Sequence, residues 1–255
     1  MSDLVTTHAA NGIFTLSLNR PDARNALSVD LIAALEDSIL KVSGDAAARV
    51  LILRGEGRAF CAGMDLRGVL HDAAHMTSML HALARVSLAL RRLSIPAIAC
   101  VRGAAIGGGC GLMVACDLAV THAEAKLGYP EVDLGICPAV VAPLLMRRIG
   151  SGAARAMLLT GGVVNGTEAH RLGLATHLCI ESDLETTALD IAGKLCAGGA
   201  TALATTKRWL CELEPEINDQ TMCRAADLSA TIIRGPEAQQ RLKSRFESGQ
   251  TTPRD

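Results

Sequence analysis

Residues 96–120 read PAIACVRGAAIGGGCGLMVACDLAV. The opening PAIACVRGAA is apolar and short enough for a buried strand. The glycines Gly107, Gly108 and Gly109 interrupt it, and GLMVACDLAV resumes as a short apolar helix running into another strand. Working outward, the apolar spacing from His71 to Leu93 is helical and ends before Pro96. RVLILR at 49–54 reads as a buried strand, and IFTLSLN at 13–19 alternates as a strand does. Between them, the turn-rich NRPDARNALS leads to Ser28, which caps a helix running to about Val42. Strands alternating with helices predict an α/β fold with covered sheets. From about Ala139 the character changes: VAPLLMRRIG, GAARAMLLTG and TEAHRLGLA are helical, and three longer helical patterns follow from Leu184 to about Glu247. Two regions are expected, a core over residues 1–195 and a helical region over 196–255, with Gly198 and Gly199 near the junction.

The composition excludes several functions. The 25 Lys and Arg nearly balance the 26 Asp and Glu, and aromatics make up 2%. Neither a basic footprint nor a stacking platform is present, so no nucleic-acid partner is expected. The nine cysteines are odd in number, scattered and without a C-x-x-C pair. They read as reduced core residues, and a cytoplasmic setting is expected. No signal-peptide pattern opens the chain, and no apolar run approaches a membrane span, so no membrane partner is expected. With 49% apolar residues, buried subunit interfaces are expected.

Nucleotide and hydrolase motifs fail. GAAIGGGCG does not spell G-x-G-x-x-G, and neither a phosphate-binding G-x-x-x-x-G-K-[ST] nor G-x-S-x-G occurs. His71 and His75 in HDAAH share one helical face, but Asp72 stands where zinc-protease chemistry needs Glu, and a third ligand, such as His81, would come from elsewhere. No metal site is expected.

Three segments carry the chemistry: AFCAGMDL at 59–66, GAAIGGGCGL at 103–112 and LGYPEVDLGI at 127–136. Consecutive glycines between a strand and a helix either permit tight packing or let a ligand approach the main chain. In the second case the free N–H groups of the helix start favour negative charge, such as that of a thioester carbonyl becoming an enolate. In this combination the segments resemble the enoyl-CoA hydratase/isomerase family, the crotonase superfamily. NRPDARNALS resembles its coenzyme A-binding segment, and GSGAARAMLLTGGVVNGTEAHRLGLATHL the region after its active site. The resemblance covers roughly residues 5–195.

The resemblance implies a crotonase-type spiral of ββα units with a C-terminal helical trimerisation region, and a homotrimer or dimer of trimers. It implies an acyl-CoA substrate and no cofactor, since coenzyme A is part of the substrate. The backbone N–H groups of Met64 and Gly108 would hold the thioester oxygen, with Glu131 as acid and base. Ala23, Arg24 and Ala26 would lie near the adenine and phosphates. Ala62, Asp65 and Leu66 would line the thioester and nucleotide end, and Arg67 would reach a phosphate. Without the resemblance, Asp65 reads equally as a turn former and Arg67 as a solvated cation. Asp133 would share the face of Glu131 in a strand but not in a turn. Lys243, Arg245 and Phe246 resemble the last family helix, with Leu242 where an aromatic is expected. Acyl-pocket walls are expected from residues 71–85 and 139–145, whose Met76, Met79, Leu80, Val140, Val141 and Leu144 suit an apolar acyl group and equally suit a core.

One departure matters. Hydratases with two glutamates carry the first just after the GGGC run, where this chain has Gly111; the second is present as Glu131. One carboxylate suffices to move a proton from C2 to C4, as in a Δ3-Δ2-enoyl-CoA isomerase. It also suffices for hydration if another group holds the water. GGGCGL with PEVDLGICPAVVAP is similar to bacterial hydratases, some acting on branched substrates such as 3-methylglutaconyl-CoA. The expectation is therefore a hydratase, with the isomerase as alternative and a non-catalytic acyl-CoA binder as a third reading.

Overall fold

The structure is a computed structural model and describes residues 3–66, 72–214 and 216–247. β1 (Val5–Ala10) and β2 (Ile13–Leu18) pair antiparallel. Asn11 and Gly12 between them both hold positive φ, 52° and 79°, the geometry that suits a two-residue hairpin to twisted strands. α1 (Val29–Ser43) begins where Ser28 Oγ accepts from Leu31 N at 3.2 Å, a cap worth about 1 kcal/mol. β3 (Val50–Gly55) follows, and then α2 (Ala73–Arg92), capped by Asp72 Oδ1 accepting from Ala74 N and His75 N. His71 lies outside the described residues.

The stretch 96–120 makes two strands rather than one before its helix. β4 (Ala97–Val101) ends, the chain turns at Gly103 against the Arg58 carbonyl, and β5 (Ala104–Ile106) enters a second sheet. α3 (Gly108–Ala115) and β6 (Leu118–His122) complete it. Arginines hold the end of α3 and the residues after it: Arg147 Nη2 donates to Val114 O at 3.2 Å, and Arg148 Nη1 to Asp117 O, two residues past the helix, at 2.9 Å, cations at the negative end of the helix. β7 (Lys126–Gly128) is followed by a 3-10 turn, Pro130–Leu134, and by α4 (Ala142–Thr160), which is broken at Gly150. The remainder is β8 (Val163–Asn165), α5 (Gly166–Arg171), β9 (His177–Cys179), α6 (Leu184–Ala197), α7 (Ala200–Leu213), α8 (Asp219–Ile233) and α9 (Pro236–Glu247). The stretch from Ala139 onward is thus helical as expected, apart from β8 and β9.

The larger sheet runs β1-β2-β3-β4-β6-β9, parallel from β2 onward, and the smaller runs β5-β7-β8. Alternation in β3 and β4 splits the core. Leu51, Leu53, Ala97 and Ala99 face the main cluster under α1 and α2. Val50, Ile52, Ile98 and Cys100 face a second cluster closed by Leu184, Ala188 and Ala192 of α6. Both faces are covered, which is why these strands read as continuous apolar runs. α7 is tied down by Lys207, whose Nζ donates to Ile95 O at 2.9 Å and Asp117 Oδ2 at 2.7 Å. α8 packs along α2, and α9 packs on the Pro130–Leu134 turn. Leu242 of α9 is fully buried in the main core. Among the described residues no helix is long and apolar enough to cross a membrane.

Candidate active site

The three singled-out segments meet. Cys61 N donates to Ala104 O and Ile106 N to Cys61 O, both at 3.0 Å, so residues 59–66 lie alongside β5. On the other edge Leu27 N donates to Gly63 O at 2.8 Å, and Asp65 N donates to Leu27 O at 2.9 Å. In such a parallel bridge the neighbours of Met64 face Leu27, and the N–H of Met64 itself faces away. Gly63 holds φ of 93°, and a Cβ there would stand 2.8 Å from Ile106 O and 3.9 Å from Gly108 N. Only a hydrogen lets the two strands of backbone approach this closely.

Gly107 N donates to Gly128 O at 2.8 Å, and α3 starts at the next residue. The first N–H groups of a helix have no partner four residues back. Among the described residues no backbone group accepts from the N–H of Met64 or of Gly108. Both residues line one cavity of about 110 Å3. Two backbone donors and a helix N-terminus thus border one cavity, a setting that favours negative charge.

Glu131 supplies the titratable group. It sits in the Pro130–Leu134 turn, closed by Gly135 with φ of 70° and by Ile136 N donating to Glu131 O at 2.9 Å. A Cβ on Gly107 would stand 2.7 Å from Glu131 Oε1, so the carboxyl group lies directly over the glycine that begins the helix. Gly107 has φ of 53°, open to glycine and strained for other residues. Glu131 Oε2 is shut off from solvent and has no hydrogen-bond partner among the described residues. Burial pushes the carboxyl up to about 7, against a smaller opposing pull from its own backbone N–H. A half-buried acid whose carboxyl is shielded from water and exchanges its proton near neutrality suits general acid–base chemistry.

The position of the missing glutamate is filled. A Cβ on Gly111 would stand 2.6 Å from Val141 Cγ1. An aliphatic side chain from the start of α4 thus occupies the ground where a second carboxylate would grow.

Other expected residues fall into place unevenly. Ala62 and Leu66 line the cavity with Met64. Arg24 O accepts from Ala62 N at 3.0 Å, placing the turn that holds Ala23, Arg24 and Ala26 beside the same strand. Asp65 turns aside: its Oδ2 pairs with Arg20 Nη2 at 3.1 Å. Arg67 lies outside the described residues. Asp133 is exposed, with its carboxylate beside Gly161, because residues 130–134 form a turn and not a strand. His75 Nδ1 pairs with Asp72 at 2.6 Å and His81 Nε2 with Asp227 at 2.8 Å. Cys110 and Cys116 are buried, and burial pushes both thiols up to about 12, far from a reactive thiolate.

The candidate acyl-wall residues divide between the two readings. Leu80, Val140 and Val141 line the cavity, but Met76, Met79 and Leu144 are spent in the core. Sequence reasoning missed Leu83, Cys137, and Ser229 and Ile233 of α8. It also missed Asn25, which is fully buried. Asn25 Oδ1 accepts from Arg20 N at 2.8 Å, and its Nδ2 donates to Glu56 O at 2.9 Å and Ala59 O at 2.8 Å. Those bonds fix the 20–27 turn against residues 56–59, and their only sequence signal is an Asn in a turn. A wider groove of about 830 Å3 opens between the ends of α1 and α2 and α7. Its Arg49 and Lys207 are engaged by carbonyls and by Asp117.

Comparison with known proteins agrees with this geometry. The chain is 35% identical over 195 residues to a crotonyl-CoA hydratase of Syntrophomonas wolfei, covering 75% of each chain. The crystal structure of an enoyl-CoA hydratase from Mycobacterium smegmatis superposes with a TM-score of 0.79 at 30% identity, covering 96% of each chain. That of a monofunctional enoyl-CoA isomerase from M. smegmatis gives 0.71 at 30% identity, covering 87% of this chain and 98% of that one. The enoyl-CoA hydratase/isomerase family model matches residues 8–248, and the chain belongs to that family, with its crotonase-type α/β fold.

Proposed function

We propose that this protein is an enoyl-CoA hydratase that works with one carboxyl group. The observation that carries the reading is Glu131: half-buried, with Oε2 shut off from solvent and unpartnered among the described residues, titrating near 7 and seated over Gly107 in the cavity that Met64 and Gly108 also line. In the proposed reaction the N–H groups of Met64 and Gly108 hold the thioester oxygen as negative charge develops on it. One such donor is worth about 3–4 kcal/mol of barrier. The Glu131 carboxylate takes a proton from water as the oxygen adds to C3. The resulting carboxylic acid returns that proton to C2, so the acid/base ends as it began. No resident metal or cofactor enters this scheme. Ala23, Arg24 and Ala26 would meet the nucleotide end of coenzyme A, and Asp65 would act through Arg20. The hydratases of S. wolfei and M. smegmatis support the choice of hydration.

One observation favours a second reading. Val141 fills the side of Gly111, so the wall that would offer a second carboxylate to water is aliphatic. An isomerase needs only Glu131, to carry a proton from C2 to C4. A direct assay separates the readings. Crotonyl-CoA is followed for loss of conjugated-enoyl absorbance and appearance of 3-hydroxybutyryl-CoA, and 3-hexenoyl-CoA for gain of conjugation. Loss with hydroxyacyl product is the expected result. Gain from 3-hexenoyl-CoA without hydration makes it an isomerase, and tight thioester binding with neither reaction makes it a non-catalytic acyl-CoA binder.

A further inference from the structure

The acyl end of the cavity is closed by residues that no motif marks. Leu83 Cδ2 stands 3.0 Å from where a Cβ on Gly108 would be, so α2 presses against the thioester end. Val141 closes the direction past Gly111. Ser229 and Ile233, one turn apart on α8, complete the lining and are 1% and 2% exposed. Ser229 brings no free polar group, because its Oγ donates to Cys137 O at 2.7 Å and accepts from Ala139 N at 3.2 Å. The cavity volume is about 110 Å3. A cavity of about 150 Å3 accommodates the six carbons of benzene, so this one has room for roughly four. Among the described lining residues Glu131 and Cys137 are the ionisable ones, and neither is a cation.

We infer that Val141 and Ile233 set the substrate range, restricting the acyl group to a short, uncharged chain of about four carbons, scaled from the cavity volume. This rests on the reading of the same cavity as the acyl-CoA site. Among the described lining residues, Ile233 and Val141 are the side chains that a longer chain would meet. A dicarboxylic acyl group would bring its second carboxylate beside Glu131 with no cation among the described lining residues, an arrangement that buried charges avoid. The branched dicarboxylic 3-methylglutaconyl-CoA is therefore a poor substrate.

The test uses the full chain and two kinds of measurement. Binding of butyryl-CoA and decanoyl-CoA, both unreactive, is read by calorimetry. Each methylene that enters an apolar site raises affinity about fourfold. A site limited to about four carbons gives decanoyl-CoA no gain over butyryl-CoA, and binding of decanoyl-CoA more than tenfold tighter overturns the inference. Turnover of crotonyl-, 2-decenoyl- and 3-methylglutaconyl-CoA is then compared. The expected kcat/KM falls at least a hundredfold from the first to the second and tenfold to the third; rates within threefold of one another overturn it. Ile233→Ala and the milder Val141→Ala are expected to shift the preference, measured as the ratio of kcat/KM values, towards hexenoyl-CoA and away from crotonyl-CoA by tenfold or more. An unchanged ratio in both variants means that these residues are not the limit. Failure of the hydratase reading shows differently: no enoyl thioester is hydrated, while the calorimetric comparison still reports the size of the cavity.

Discussion

Replacing Glu131 by Gln separates the carboxyl's cost in stability from its use in turnover. The carboxyl titrates at about 7 in the fold against an ordinary 4.5. Each tenfold of acidity is about 1.36 kcal/mol, so ionising it inside the protein costs about 3 kcal/mol. Because the folded state binds this proton more tightly than the unfolded state, the contribution is fully present below 4.5 and is lost as pH rises through about 7. Glu131→Gln removes the titration and keeps the shape. At pH 8 the variant is expected to be more stable than the parent by about 3 kcal/mol, and at pH 5 by about 1 kcal/mol. Urea unfolding followed by circular dichroism at both pH values measures the difference, and other titrating groups cancel in the comparison. Turnover of the same variant is expected to fall by about 10^2–10^4, the usual worth of a positioned acid–base, while butyryl-CoA binding stays within a few-fold. An equal stability difference at pH 5 and pH 8 would refute the burial argument. Near-parental turnover would refute Glu131 as the proton carrier.

Further outcomes follow from the same geometry. In the parent, kcat/KM is expected to rise with pH through a single ionisation near 7, because either reaction begins with the carboxylate; a profile flat from pH 5 to 8 would contradict this. Gly107→Ala places a Cβ 2.7 Å from Glu131 Oε1 at φ of 53°. It is expected to cost about 1–3 kcal/mol of stability and about a hundredfold in kcat through displacement of the carboxyl group, read by urea unfolding and steady-state kinetics. Gly111→Glu meets Val141 and is expected to destabilise by about 1–3 kcal/mol; adding Val141→Ala should recover most of that loss, and no recovery would show that Val141 is not the obstacle. On α7, Trp209, Leu210 and Leu213 are each more than half exposed, an apolar patch of the kind that marks an interface. We propose that this face joins copies of the chain in a trimer; light scattering should show Leu213→Asp at lower mass than the parent, and an unchanged mass would remove α7 from the interface.

Legibility in the sequence depends on how local each signal is. α1 is readable because Ser28 and the apolar spacing after it are contiguous, and β3 because both faces of its sheet are covered. β1 escapes the reading although Asn11 and Gly12 form a strong hairpin signal: its residues 6–10 are exposed and carry no apolar alternation. The strands of the smaller sheet have three residues each, too few for periodicity to speak, and Gly103 splits what reads as one strand only because the Arg58 backbone lies against it. The site divides in the same way. Met64, Gly108 and Glu131 lie in short motifs whose glycines and proline fix the backbone locally. The floor of the cavity comes from Ser229 and Ile233, on a helix far along the chain whose spacing states only that one face is buried.

Gly111 shows what a motif leaves unsaid. Its sequence reports that a carboxylate is missing and invites the picture of an empty place where water could stand. The structure puts Val141 Cγ1 there instead, so the loss is a replacement of polar wall by apolar wall. Water placed for addition at C3 must then be held by Glu131 and by main-chain groups at the cavity rim, and a proton on Glu131 has no neighbouring carboxylate to accept it. Glu131 is the one carboxylate among the described lining residues, so in either proposed reaction it would be the sole carrier. The choice between hydration and isomerisation therefore rests on whether water reaches C3 beside Val141, and Val141→Ser, which offers water a hydroxyl without adding a second acid, addresses it directly. A rise in hydration relative to isomerisation is expected in that variant; a fall in both by the same factor would show that Val141 acts only by packing.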